Sequence, residues 1–389
     1  MSRKLEIRNL HRAALFVLLV GATAATPFVR QAFGTTVVTA TGPVVKPAPA
    51  KAIEAVFVLD TTGSMSGLIE GAKRKIWSIA DAMSGNSPGV PIRVGLVAYR
   101  DRGDEYVTRR VDLTEDLDAV WAQLRELRAD GGGDTPESVN EALHEAVTKL
   151  SWSSGPNVYR VVFLVGDAPP HLDYPQDVGF RQSAGLAAQK DIVINTVQCG
   201  GLPETTPIWQ EIAKLGLGQF AAIGQDGAMI AVATPQDDEL AALNRKLAAT
   251  VIPYGDAAAQ AEVKNKVAAS LAAPAEAAAS RLSYLAKRGG RANLGREDLV
   301  DAVASGSIAV KDVPPAALPE PLQKLDADER QKYVETKREE RRQIQEEIAK
   351  LGAERDKFLQ DAEAKKPADG FDARVRETVK EQAAKKGIK

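Results

Sequence analysis

Cysteine is almost absent: the 389-residue chain has one, Cys199. No intramolecular disulfide can form in any redox compartment, and a cysteine-based zinc site is excluded. Cys199 reads as a small apolar residue near the end of a strand. Histidine is nearly as scarce, with three. His11 lies near the start, His144 sits in an expected helix one step from its apolar stripe, and His171 reads as an exposed loop residue, with a place four residues past Asp167 that could also line a site there. Neither sign of charge prevails, since 50 Lys and Arg face 52 Asp and Glu for a net −2. No global field points to nucleic acid or to an anionic membrane, so a ligand has to be sought in a local site. Also missing are a Gly-x-x-x-x-Gly-Lys-Ser/Thr phosphate loop, a kinase signature and, outside the strand-end residues considered below, a Ser/His/Asp or Cys/His arrangement. A non-catalytic protein is expected.

What is present is an ordinary globular composition, 44% hydrophobic, in a chain long enough for roughly two domains. Residues 1–30 combine a basic stretch (Arg3, Lys4, Arg8, Arg12) with an apolar run from Ala13 to Ala25 and small residues at its end. That is the shape of a secretory signal; a retained N-terminal membrane anchor is its rival, the uncharged run being at the short limit for a span. Either way the remainder is expected outside the cytoplasm, periplasmic or anchored to the outer side of the inner membrane. Residues 31–53 include GPVVKPAPAKA, a proline-rich linker without periodicity.

From 54 to 255, apolar runs alternate with helical spacing. Strands are expected at 54–59, 92–99, 106–111, 158–165, 191–198 and 219–223. Leu68, Ile69, Ala72, Ile76, Ile79 and Met83 recur at helical intervals, as do Leu117, Val120, Trp121, Leu124 and Leu127. A third helix carries Val139, Leu143, Val147 and Leu150, its start placed at Pro136 behind Thr135. Continuously apolar strands separated by amphipathic helices predict an α/β, Rossmann-like fold: a mostly parallel sheet with helices on both faces. The pair 92–99 and 106–111, joined by RDRGDE, predicts one antiparallel edge hairpin. Residues 256–389 read as a helical, charged C-terminal region: alanine-rich helix over 256–288, a proline break at PPAALPEPL, and a charged helix from Asp326 to Ala364. Ile344, Ile348, Leu351 and Phe358 give that helix a narrow apolar seam compatible with coiled-coil pairing, interrupted by Gly352.

In open α/β sheets a ligand lies beyond the carboxyl ends of the strands. Asp60 directly follows the first strand in VFVLDTTGSMSG, and Asp167 follows another in VFLVGDAPPH, so both are expected on one rim. Thr62 and Ser64 put two alternate hydroxyls on the turn after Asp60, with Thr61 out of phase. The loop GGGDTPES brings Thr135. Asp60, Thr62 and Ser64 alone would read as a helix cap. With Thr135 and Asp167 they form an oxygen-only set suited to a hard divalent cation, Mg2+ first, then Mn2+ or Ca2+. Asp134 reads as a loop or capping carboxylate, and Asp101 and Asp104 as turn residues of the hairpin, with reach to the same rim as the alternative for Asp101.

At these residues the sequence resembles the von Willebrand factor type A (VWA) domain and its metal-ion-dependent adhesion site, Asp-x-Ser/Thr-x-Ser followed by a Thr and an Asp. Asp60, Thr62, Ser64, Thr135 and Asp167 match in order, with Thr62 in place of the commoner serine. YRDRGD and GGGDTPE look most like the hemicentin-type and alpha-kinase-associated branch. The resemblance implies that the hydroxyls and Thr135 touch the metal, with the aspartates acting directly or through water. It also implies a protein partner whose Asp or Glu carboxylate completes the ion's coordination. The alternative it carries is a VWA subunit that regulates or assembles an enzyme complex of chelatase or kinase-associated type.

Overall fold

A computed structural model describes residues 51–84, 89–229, 232–292, 297–363 and 370–388. The expected signal or anchor and nearly all of the linker lie outside these. Strand β1 (Ala52–Asp60) is buried along its whole length. It pairs in parallel with β2 (Ile92–Tyr99) on one side and β4 (Val158–Gly166) on the other. Beyond β2 lies antiparallel β3 (Thr108–Thr114), and beyond β4 lie β5 (Ile192–Cys199) and β6 (Leu217–Ile223), both parallel. The order β3-β2-β1-β4-β5-β6 puts the two most apolar strands at the centre, as burial on both faces requires. The edge hairpin is present, with β3 starting at Thr108 rather than 106. Tyr106 is used otherwise, its hydroxyl 2.7 Å from Thr61 Oγ1.

Helices α1 (Ser66–Ser84) and α2 (Leu117–Glu126) cover one face of the sheet. The other face is covered by α3 (Val139–Thr148), α4 (Phe180–Gln189) and α5 (Thr205–Leu215). Helix α3 starts three residues later than expected. Glu137 N donates to Pro169 O at 2.9 Å and His171 N donates to Glu137 O at 3.1 Å, which holds residues 135–137 extended against the loop after β4.

The helical expectation after residue 255 is met, in more pieces. Helix α6 (Asp237–Ala248) precedes it, and Pro274 splits the alanine-rich segment into α7 (Ala257–Leu271) and α8 (Ala275–Lys287). Short α9 (Leu299–Ala304) and α10 (Glu320–Gln323) lead to α11 (Ala327–Glu363). The seam of α11 is spent inside the chain: Ile344, Ile348 and Leu351 pack with Leu243, Leu247 and Leu282 of α6 and α8. Gly352 does not interrupt this packing; it faces Ser283 of α8, where even a Cβ would make only an ordinary contact, 3.4 Å from Ser283 Oγ. Phe358 stays on the outside, 40% exposed.

The last helix, α12 (Phe371–Ala384), was not legible in the sequence. It returns to the α1 face of the sheet, where Phe371 packs edge-on against Phe57 at 6.1 Å and Val375 and Val379 are buried. Gln382 and Asn195 exchange carboxamide hydrogen bonds at 2.8 and 3.1 Å, and Tyr159 Oη donates to Gln382 at 2.7 Å. These polar partners fix one register for a helix that apolar contacts alone would let slide. Replacing Phe371 by Ala is expected to cost about 3–5 kcal/mol by urea denaturation, with α1-face fluorescence changing in the same transition. A cost below about 1 kcal/mol would mean that α12 is not part of the core.

Candidate metal centre

Strand β1 carries two contrasting acids, Glu54 near its amino end and Asp60 at its carboxyl end. Glu54 is fully buried and compensated: Arg93 Nη1 donates to it at 2.6 Å and Ser153 N at 2.9 Å. Asp60 is equally buried, but its partners are neutral. Thr62 N and Thr62 Oγ1 donate to Oδ1 at 2.9 and 2.6 Å, while Oδ2 has no hydrogen-bond partner. Burial, with some repulsion from Asp167, raises its pKa to about 7. Keeping it ionised above that pH costs on the order of 4 kcal/mol, a debt that a bound cation removes.

The neighbouring loops are placed by backbone bonds. Asp130 N donates to Thr61 O at 3.1 Å and Gly63 N to Gly131 O at 3.3 Å, docking the glycine loop on the turn after β1. Gly131 and Gly132 have φ of +78° and +80°, where a side chain is strained. At Gly166 a Cβ would lie 2.5 Å from Tyr99 Oη and 2.9 Å from Asp60 Cβ, so only glycine lets β4 end so close to Asp60. Asp167 follows at once; Thr205 Oγ1 donates to its carbonyl at 2.8 Å, tying it to α5.

Four of the five expected site residues, Thr62, Ser64, Thr135 and Asp167, line one open depression of about 380 Å3. Asp60 does not line it; it lies behind the Thr62 hydroxyl, which donates to it and is also 3.4 Å from Ser64 Oγ. Thr61 turns away and donates to Tyr99 O at 2.8 Å. One oxygen is already engaged: Gln225 Nε2, on the loop after β6, donates to Asp167 Oδ2 at 2.7 Å. The donor set fits a hard divalent cation. It offers hydroxyls and carboxylates, an unpartnered buried carboxylate oxygen, and an opening to solvent where a further oxygen can enter.

Two residues stand differently from expectation. Glu137, passed over in the sequence, lines the same depression and is 3% exposed with Oε2 unpartnered. Burial, then the charges of Asp60, Asp101, Asp104 and Asp167, push its pKa up to about 9. Its spacing after Asp134 was visible, but nothing local announces that a glutamate beside proline turns inward. His171 is buried, not an exposed loop histidine: it is 5% exposed, because its backbone pairs with Glu137 and its ring stacks on Tyr174 at 4.0 Å. With Asp101 and Asp134 it brings three ligating atoms within 4.8 Å of one another.

An α/β sheet with an acid and hydroxyl rim at its carboxyl edge defines the class of domain, and comparison specifies it. The von Willebrand factor A domain model matches residues 54–200, so a VWA domain occupies this part of the chain. Human von Willebrand factor A domain-containing protein 7 is 38% identical over 114 residues, covering 29% of this chain and 12% of that protein. Alpha-protein kinase vwkA of Dictyostelium discoideum is 30% identical over 122 residues, 31% of this chain and 19% of its own. The similarity is thus confined to a small part of these relatives' length. Among solved structures, proximal thread matrix protein 1 of the mussel byssus is 16% identical with a TM-score of 0.34, covering 45% of this chain and 42% of that one. A likeness so slight carries no argument.

Asp60 and Glu137 both hold protons more tightly folded than as free carboxyls, so the stability tied to them is complete below pH ~4 and drains as pH rises through about 7 and about 9. The melting temperature of metal-stripped protein is expected to fall from pH 5 to 9, less steeply in Asp60→Asn, and saturating Mg2+ should oppose the fall. Equal Mg2+ shifts at both ends of the range would contradict this origin. Gln225→Ala should free Asp167 and tighten Mg2+ binding by roughly two- to tenfold, the worth of one hydrogen bond. Weaker binding measured by titration calorimetry would show that Gln225 supports the site.

Proposed function

We propose that the chain is a non-catalytic, metal-dependent protein-binding module, working as an adhesion or scaffolding element of the cell envelope. One observation carries the reading most: Asp60 is buried as deeply as Glu54 on the same strand, yet lacks the cation that Glu54 has. A divalent ion, Mg2+ or in its place Mn2+ or Ca2+, held by Thr62, Ser64, Thr135, Asp60 and Asp167, would meet that need. The ion supplies a positive centre with an exchangeable position. The residues around it orient that position outward, and a partner's Asp or Glu side chain is the chemistry that fits. Desolvated within an interface, such a charge-assisted contact acts as a hot spot.

The reading excludes nucleic acid as a partner on the balance of charge, and assigns membrane contact only to an N-terminal anchor. Export rests on the basic and apolar pattern of residues 1–30. No helix among the described residues is long and apolar enough to cross a membrane. A VWA subunit that assembles or regulates an enzyme complex is the second reading, favoured by the kinase named among the relatives.

Titration of Mg2+ into the protein should give binding that Asp60→Ala and Thr135→Ala weaken at least tenfold; variants that behave like wild type would remove the metal from these residues. Envelope proteins captured by the wild type should be lost with chelator and with Thr135→Ala. A partner set indifferent to chelator moves the interface elsewhere, and capture of a kinase or an ATPase selects the second reading.

A further inference from the structure

The rim carries a second group of ligating side chains beside the first, on the hairpin turn after β2, the glycine loop and the loop after β4. His171 Nε2 lies 3.3 Å from Asp101 Oδ2 and 3.8 Å from Asp134 Oδ2. His171 Nδ1 lies 2.8 Å from Asp173 Oδ1. In the tautomer with the proton on Nδ1, toward Asp173, the lone pair is on Nε2, the arrangement that metal-ligating histidines show. The Nε2 lone pair then faces two carboxylate oxygens. Tyr174 Oη donates to Asp101 Oδ2 at 2.9 Å and lies 3.2 Å from Nε2.

The group is built rather than adventitious. Asp101 and His171 are each 5% exposed, and Asp101 is held by Ser138 Oγ at 2.9 Å. Asn140 Nδ2 donates to the His171 carbonyl at 2.6 Å, clamping the backbone on which the ring is carried. Local basic groups are committed: Arg102 pairs with Glu141 and Asp177, and Arg100 Nη2 donates to Arg128 O at 2.7 Å. The buried Glu137, which lines the same depression as Asp134, leaves Oε2 without a hydrogen-bond partner.

We propose that Asp101, Asp134 and His171 form a second cation site, distinct from the hydroxyl-rich one and selective for a borderline transition ion of the Zn2+ class. Selectivity follows from the ligands, since an imidazole nitrogen with two carboxylates suits Zn2+ better than Mg2+, which prefers oxygen throughout. The ion joins three loops, and because Asp134 precedes Thr135 it also steadies the loop that presents Thr135. The second site does not depend on the partner-binding reading.

The test is equilibrium dialysis of the full, metal-stripped chain against Zn2+ in a large excess of Mg2+, with bound metal counted by atomic emission. Wild type should hold one Zn2+, Asp60→Ala should keep it, and His171→Gln should weaken it at least tenfold. Asp134→Ala, at a position 65% exposed that the fold does not need, should also weaken it if His171→Gln fails to fold. Three results would overturn the proposal: no Zn2+ held by wild type, which leaves the trio an imidazolium–carboxylate pair; wild-type Zn2+ affinity in the folded His171 or Asp134 variant; or loss of Zn2+ in Asp60→Ala, which places the ion at the first site. Loss of Mg2+ but not Zn2+ in Asp60→Ala separates the two sites.

Discussion

A carboxylate shut away from water with neutral partners is the constraint around which the rim is arranged. Asp60 sits where β1 ends, and the parallel pairing of β1 with β2 and β4 makes that end the middle of the sheet's edge. Moving it outward would relieve its desolvation, but β1 is apolar on both faces and cannot slide by one residue without exposing its core side chains. The sheet therefore holds the charge in place, and the glycines at 131, 132 and 166 let other loops close around it. Hydrophobic burial supplies the force that keeps an unfavourable group where it is useful.

The helical region is secured by a different device. Arg281 of α8 donates to both oxygens of Asp118 in α2, at 2.6 and 2.9 Å, and to Asn244 in α6 at 3.1 Å. Arg341 of α11 reaches Asp298 at 2.7 Å, and Arg355 of the same helix reaches Asp237 at 2.8 Å. All six groups of these three pairs are buried. Buried pairs of this kind add little net stability against apolar replacements, but each is costly to break, so they select one packing of the helices on the domain. The charge on α11 is thus of two sorts: solvated i,i+3 and i,i+4 pairs such as Arg342 with Glu339 and Glu346, and arginines turned inward.

Much of this was legible in the sequence, and the parts that were not share a cause. Five strands were visible as continuous apolar runs, and β3 was displaced by two residues because Tyr106 is drawn to Thr61. Asp60, Thr62, Ser64 and Asp167 could be placed from strand ends, where geometry is local. Thr135 was found by pattern, but its helix start was misplaced, because the bond that holds 135–137 extended comes from Pro169, far along the chain. Glu137 and His171 escaped for the same reason: their burial is created by each other's backbone and by Tyr174. Helix α12 escaped because its apolar residues are few, and its meaning lies in a phenylalanine and a glutamine that meet partners in β1, β4 and β5.

That last contact carries a consequence for how the molecule is made. The amide of Asn195 waits 187 residues along the chain for Gln382, and the hydroxyl of Tyr159 waits 223. A nascent chain that has already threaded all six strands still has Phe57 without the aromatic cover that Phe371 brings. Contacts so distant in sequence are slow to form and expose apolar surface meanwhile. The sheet is in this sense sealed from the far end, so that a chain cut short anywhere before α12 lacks a wall of its central domain, not merely a tail.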